Sequence, residues 1–500
     1  MSVPVTEFIQ ITINLASPSG PQFGFGSLMG VFTHDVTLAR ESGPYTTIQA
    51  VVADGFTSTA APEIYAWAST WFSQPRRCRE ILIGRRVPEE GGPAAKVWRV
   101  DVTGPTFVDE TLDFNDAGTA DWQVFPTGDA AGDYAAFGAL EPFEKITLDS
   151  TGGTAGTDGV VVWEYWNGAA WSALANVVDG TSDFTAAVSA GQEVTWDLPL
   201  DWEPLVLNGA DPFYYVRARI TTPFTIDPVY DSGTIGGDAS WTATMDAIEQ
   251  SLGRPWYITN IESRDPTDIA EVSTWTEARK KIYIAQTSQN GVPNGTVGNI
   301  AEVLEGLARD RTSLVWYNDD AVYADGGVAS VGGGLNLDAI GGVGIWGFQK
   351  IASVPAISIS GPKWDNIDDQ NANSVIESGG RTFFSRGKMS SGQRIDVITT
   401  SDWLEQRLQE ALSDLWVQTP TKIPYTDGGI NTIVATCQAI FDNGVSFGHF
   451  AQNPAPVVSA PVLSEIPAAD KQARRLALSA SATLAGAIEE VIPFIIDLQF

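Results

Sequence analysis

The sequence predicts a multidomain α+β and α/β protein: a helix-covered mixed sheet core, an inserted all-β sandwich domain, and extended N- and C-terminal strand arms. Three observations carry this reading. Helix-then-strand units repeat three times between residues 242 and 317, which argues for a parallel or mixed sheet covered by helices. A stretch rich in Gly, Thr, Asp and Trp, made of short alternating runs, interrupts the chain from 105 to 238. Apolar alternation occupies both ends, where unanchored termini are usually polar. The expected division is 1–20 as an N-terminal arm, 21–104 with 239–340 as an α/β domain, 105–238 as the inserted β domain, 341–485 as a C-terminal α+β domain and 486–500 as a C-terminal arm.

At the start, Ile9, Ile11, Ile13 and Leu15 alternate with Gln10, Thr12 and Asn14, the period-2 pattern of a half-buried strand. PEIYAWASTWF from Pro62 reads as a helix opened by proline, and REILIGR (Arg79 to Arg85) as a buried strand. Gly91-Gly92-Pro93, Gly104-Pro105 and residues 233–238 mark the borders expected where one domain is spliced into a surface loop of another. Inside the insert, VVVWEYW (160–166) and YYVRARI (214–220) read as strands. The α/β pattern resumes with helices at 242–252, 267–278 and 299–309, each leading into a strand: WYITNI, KIYIAQ and SLVWY.

Further on, the pattern predicts strands at 345–351, near Arg381 and at 394–399, followed by two helices. Asp402 with Glu405 reads as the cap of the first, whose stripe is Leu404, Leu408, Ala411, Leu412 and Leu415. The second, Ile430 to Asp442, places Ile430, Ile433, Val434, Cys437 and Phe441 on one face and stops at Asn443-Gly444. Alternation at 475–484 suggests one more strand. Phe494, Ile496, Leu498 and Phe500 then continue an apolar alternation to the last residue.

Composition narrows the function. With 29 basic against 61 acidic residues, the net charge of −32 opposes nonspecific binding to nucleic acid or anionic membranes. The first 15 residues lack the basic and then continuously apolar layout of a secretory signal, and no apolar run approaches the ~20 residues that cross a bilayer. Cys78 and Cys437 read as buried free thiols. His34 and His449 have no zinc-type spacing; Gly332-Gly333-Gly334 lacks the Lys-Ser/Thr of a phosphate loop and reads as a flexible loop; Asp365, Asp368 and Asp369 lack the Gly and distal Glu of a calcium loop and read as a solvated turn. No catalytic residue, cofactor or metal is expected. Trp163, Trp166 and Trp171 in WEYWNGAAW have two readings, the core of a β-sandwich or, with Asn167 orienting hydroxyls, a sugar-stacking surface.

Several segments in this order and spacing resemble the bacteriophage contractile tail sheath family, a myovirus group formerly described only as conserved and of unknown function. They are FSQPRR (72–77) before ILIGRR (81–86), SDWL at Ser401, KIPYTDGGI (422–430) and LAGAIEEVIPFIIDL (484–498). The likeness covers the first hundred residues and 242–500. It implies a non-enzymatic virion protein of the phage tail, made in the host cytoplasm. Such a subunit stacks in hexameric rings around the tail tube protein, meets baseplate and tail terminator proteins, and shortens to drive the tube through the host envelope. It also implies that both arms complete sheets in neighbouring subunits, by strand addition. The β insert would face outward and the C-terminal domain the tube, where the basic cluster Lys471, Arg474 and Arg475 is the candidate tube contact. The alternative is a baseplate or receptor-binding virion protein with a glycan-binding β domain. A glycoside hydrolase, needing two positioned carboxylates, is the third reading.

Overall fold

The computed structural model describes residues 24–489 except 35, 38, 88–90, 119–121, 141, 200, 239, 252–254 and 420–421. Two compact units emerge: one of residues 26–334 and 347–393, the other built from 335–346 and the chain from 394 onward, joined by Phe25.

The larger unit is organised by a six-stranded sheet, in the order Thr312–Trp316, Ile282–Thr287, Ile258–Ile261, Leu28–Thr33, Ile81–Arg86, Glu41–Tyr45. The first five run parallel and the last antiparallel, so the sheet is mixed. The parallel strands are near-continuous apolar runs because helices cover both faces. Helix Pro62–Phe72 starts at its proline, and helix Pro266–Glu277 is capped by Asp265, whose side chain accepts from Thr267 N. Asn299 caps helix Ile300–Gly306 in the same way.

The glycine run is not a loop. Residues Ala324–Gly333 form a helix whose every residue is buried. A Cβ on Gly326 would lie 2.7 Å from Trp67, and one on Gly333 would overlap the Cys78 sulfur. Glycine's intrinsic cost in a helix is here offset by close packing that no larger residue permits.

The β insert starts earlier than 105. Lys96–Asp101 is already one of its strands, pairing with Tyr134–Ala139 and Thr106–Asp109, so Gly104-Pro105 is a hairpin turn and not a border. The true neck is Gly92 and Ile235, which exchange backbone hydrogen bonds of 2.9 and 2.8 Å. Two antiparallel sheets, of six and four strands, enclose one core that includes Phe114, Trp122, Phe137, Trp163, Phe184 and Tyr230.

Residues 347–393 pack with this larger unit, against the expectation that everything from 341 joins the C-terminal domain. No strand forms at 345–351; Phe348 turns the chain at φ +59°. The hairpin Val375–Ser378/Arg381–Phe384 closes through Gly379 and Gly380, both at positive φ, as its turn requires. Asp365, Asp368 and Asp369 lie on helix Gly361–Asp369 and not in a solvated turn, because Asp368 is drawn in by Arg386 (3.1 Å) and Lys388 (2.9 Å).

In the smaller unit the first long helix runs Ile395–Gln418. The strand expected at 394–399 is its first turns, and Asp402 is a buried residue within it, not its cap. Helix Asp427–Phe447 is capped by Thr426, whose hydroxyl accepts from Gly429 N, and it runs through Asn443-Gly444 to end at Gly448 (φ +99°). Gly444 sits inside because a Cβ there would approach Phe450 to 2.6 Å. Of the strand expected at 475–484, Ser479–Ser481 forms, pairing antiparallel with Val457–Ser459.

Candidate assembly surface

The smaller unit is fastened by one polar-aromatic knot. Trp403 is 1% exposed and stacks on His449, ring centroids 4.0 Å apart at 18°. Its Nε1 donates to Asp338 Oδ1 (2.7 Å), and Arg407 grips the same carboxylate through Nε (2.9 Å) and a terminal nitrogen (2.7 Å). Burial alone would raise the Asp338 carboxyl; the bonds from Arg407 and Trp403 outweigh it and hold it below the usual range.

His449 has one workable tautomer. Nε2 faces the Leu337 carbonyl (3.0 Å), so it carries the proton, and Nδ1 accepts from the Thr400 hydroxyl (2.9 Å). Burial pushes its pKa below the ordinary value. A base with a depressed folded pKa contributes stability that is complete above its unfolded pKa of about 6.5 and is lost as pH falls through the folded value. Thermal melts of this unit, followed by hydrogen exchange, should therefore lose up to about 1.4 kcal/mol per pH unit below that point. His449→Gln should flatten the slope, and an equal slope in the variant contradicts the assignment.

Around the knot the surface is unusually apolar. Leu404, Leu408, Ala411, Leu412 and Leu415, expected to be a buried stripe, are only half-buried, and Trp416 and Val417 at the helix end are 61% and 83% exposed. Beside the second helix lies the two-stranded sheet, extended by a bridge between Phe450 and Leu484 and by hydrogen bonds from Ala451 N to Thr483 O and Ala485 N to His449 O. Its outer strand, Ser479–Ser481, and the chain after it to Ile488 are exposed, and among the described residues nothing pairs with the strand's far edge. From 476 to 488 the sequence LALSASATLAGAI carries no charge and no proline, the usual devices that stop an edge from recruiting another strand. By contrast, the edge strand Glu41–Tyr45 of the larger unit contains Pro44, which offers no N–H.

The arm residues Ile9, Ile11, Ile13, Leu15, Phe494, Ile496, Leu498 and Phe500 lie outside the described residues. The chain reaches its last described residue, Glu489, in an ion pair with Arg394 at the start of the long helix. Lys471 is half-buried on the short helix Ala468–Gln472, and Arg474 and Arg475 are exposed. Arg475 pairs with Asp470 at 3.0 Å, and its carbonyl accepts from the Tyr425 hydroxyl (2.8 Å), so part of the cluster's charge is met locally. The sequence reading expected a strand here but not its open edge, because whether an edge is paired depends on backbone partners distant in sequence; the one signal was the uncharged run after Arg475.

The tryptophan segment divides. Trp163 is buried in the insert core and donates to Asp179 (3.0 Å), while Arg217 lies over the Trp171 ring at 4.2 Å. Asn167 is spent in a turn, its oxygen accepting from Ala169 N and Ala170 N and its nitrogen donating to Ser172. Among the described residues no three His, Cys, Asp or Glu side chains gather to hold a metal, and no helix is long and apolar enough to cross a membrane. Both cysteines are free and buried.

Residues 395–456, which span the two long helices and the short segment after the second, match the family described as E217 tail sheath protein gp31-like, C-terminal domain. The matched domain is that of a structural sheath protein. Among solved structures, the sheath tail protein of Desulfitobacterium hafniense aligns over 96% of this chain and 98% of its own, at 11% identity and a TM-score of 0.45. A chain of the anti-feeding prophage baseplate aligns over 54% and 77%, at 14% identity and 0.39. The sheath complex of a PVC extracellular contractile injection system, in its contracted state, aligns over 53% and 76%, at 11% and 0.38. Likenesses of that degree carry no weight for function. No curated protein matches the chain.

Proposed function

We propose, from the tail-sheath C-terminal domain matched over residues 395–456, that this chain is the structural subunit of a contractile phage tail sheath, one that polymerises with copies of itself around a tail tube. The observation that carries the proposal is the open edge of strand Ser479–Ser481, continued by exposed, uncharged chain to Ile488 and set beside the matched helices. Strand addition supplies backbone hydrogen bonds for affinity and alternate side chains for register. The apolar alternations at 9–15 and 494–500 carry a side-chain pattern suited to filling such an edge in a neighbour. Linkages of this kind persist while subunits rotate, so rings could shorten along the tube without losing their neighbours. A nucleotide is not required, since a polymer assembled in a metastable extended state releases stored free energy once triggered. Lys471, Arg474 and Arg475 are the candidate tube contacts; weak charge pairs at a polar rim suit a partner that must be released.

The test is truncation. Removing residues 1–14 or 490–500 should leave a subunit with native circular dichroism that sediments as a monomer and forms no polymer. Normal polymers from either truncation contradict strand exchange, as does loss of the folded spectrum in both.

A further inference from the structure

Past the open edge, the chain returns to the start of the first long helix through a segment of inverted polarity. Backbone bonds hold it just beyond the second helix, with Ala451 N donating to Thr483 O (2.8 Å) and Ala485 N to His449 O (3.0 Å). Gly486, Ala487 and Ile488 then run exposed, Ile488 at 89%. The next side chain, Glu489, is only 12% exposed, because its carboxylate meets the guanidinium of Arg394. A charged side chain turned in beside an isoleucine turned out reverses the usual preference, so apolar burial does not place this segment. The ion pair holds it.

The location suits a carboxylate. Arg394 is the N-cap residue of helix Ile395–Gln418, and its side chain makes no capping bond. The amide end of a long helix favours negative charge, and the guanidinium adds to that field. Both side chains are partly buried, so solvent and salt screen the pair less than one in open water. Asp396, in the first turn of the helix, faces the same two charges.

We infer that Arg394 and Glu489 are a positioning pair, which fixes the point from which residues 490–500 continue toward a neighbouring subunit. The inference rests on the strand-addition reading and names the residues that aim the strand. Without the pair the last fixed point is Ala485, and the tether gains four residues, about 14 Å of extended chain. A longer, unpinned tether lowers the effective concentration of the strand at its acceptor and adds entropy that docking must remove.

Spin labels at Ile488→Cys, beside the pair, and at Val417→Cys, exposed near the far end of the helix, report whether the segment is anchored; Cys78 and Cys437 are buried. Double electron–electron resonance on full-length protein, diluted with unlabelled chain, should give one narrow distance distribution. Glu489→Arg should broaden it, and adding Arg394→Glu, which restores opposite charges, should narrow it again. In unlabelled chains, Glu489→Arg should raise the concentration needed for polymer about tenfold, and the double exchange should reverse the rise. A distribution that stays narrow in Glu489→Arg overturns the anchor; Glu489→Gln, which keeps the side chain's size, must broaden it as well, and decides the point if the charge reversal does not fold. Broadening with wild-type polymer formation overturns the positioning role. Wild-type chain that never polymerises counts against the sheath assignment instead, and the distances then decide the anchor by themselves.

Discussion

Trp403→Ala should unfold the smaller unit while leaving the larger one intact. The indole is almost completely buried, stacks on His449, bonds Asp338 and lies over Gly444, so its loss removes a large apolar volume and takes one hydrogen-bond donor from Asp338. Truncating a buried tryptophan costs about 3–5 kcal/mol, a large share of the 5–15 kcal/mol that typically holds a domain together. Hydrogen exchange resolved by peptide should show protection lost across 395–456 and kept at 258–316. Trp416→Ala is the control. Its side chain is 61% exposed, so the monomer should change by no more than about 0.5 kcal/mol. Global unfolding by Trp403→Ala, or no loss of protection, would show that the knot does not govern this unit.

The second large effect concerns where the β insert is cut. Joining Gly92 to Ile235 through a short Gly/Ser linker removes the insert at a point where the two chains already exchange backbone bonds, so closing the gap costs little. The product should be soluble, with the α/β core folded. Cutting at 105–238 instead leaves Lys96–Asp101 without its sheet, exposing Val97 and Trp98, and deletes Asp238, the partner of Arg40, Val87 and Thr244. Breaking a buried ion pair from one side costs about 3–5 kcal/mol. That variant should aggregate. Size-exclusion chromatography separates the outcomes, and a soluble 105–238 deletion beside an aggregating 93–234 deletion would reverse the assignment of the neck.

The difference between the two cuts reflects what a sequence can display. Pro62 and the apolar run after Glu80 display their helix and strand because the cap and the burial pattern are local. Gly104-Pro105 and Gly91-Gly92-Pro93 are both short Gly/Pro segments, yet one turns a hairpin and the other lies at the neck; only pairing partners distant in sequence distinguish them. Asn443-Gly444 reads as a helix stop and Gly332-Gly333-Gly334 as a flexible loop because isolated helices dislike glycine, whereas here Phe450 and Cys78 fill the space a Cβ would take at Gly444 and Gly333. The Arg394–Thr399 segment shows β-like alternation but is the first turns of a helix, where Ile395, Thr399 and Thr400 are buried. For the candidate surface, the two matched helices were legible from the side chains. A strand near 475–484 was also expected, but the open edge of Ser479–Ser481 was not, since its chemistry is backbone and only the absence of charge hints at it.

Electron microscopy of the purified full-length chain bears most directly on self-polymerisation. The account predicts hollow tubes with a regular axial repeat, disappearing when residues 490–500 are removed. A small closed oligomer of fixed size that binds saccharide and never elongates would contradict it, and would return the chain to the receptor-binding reading.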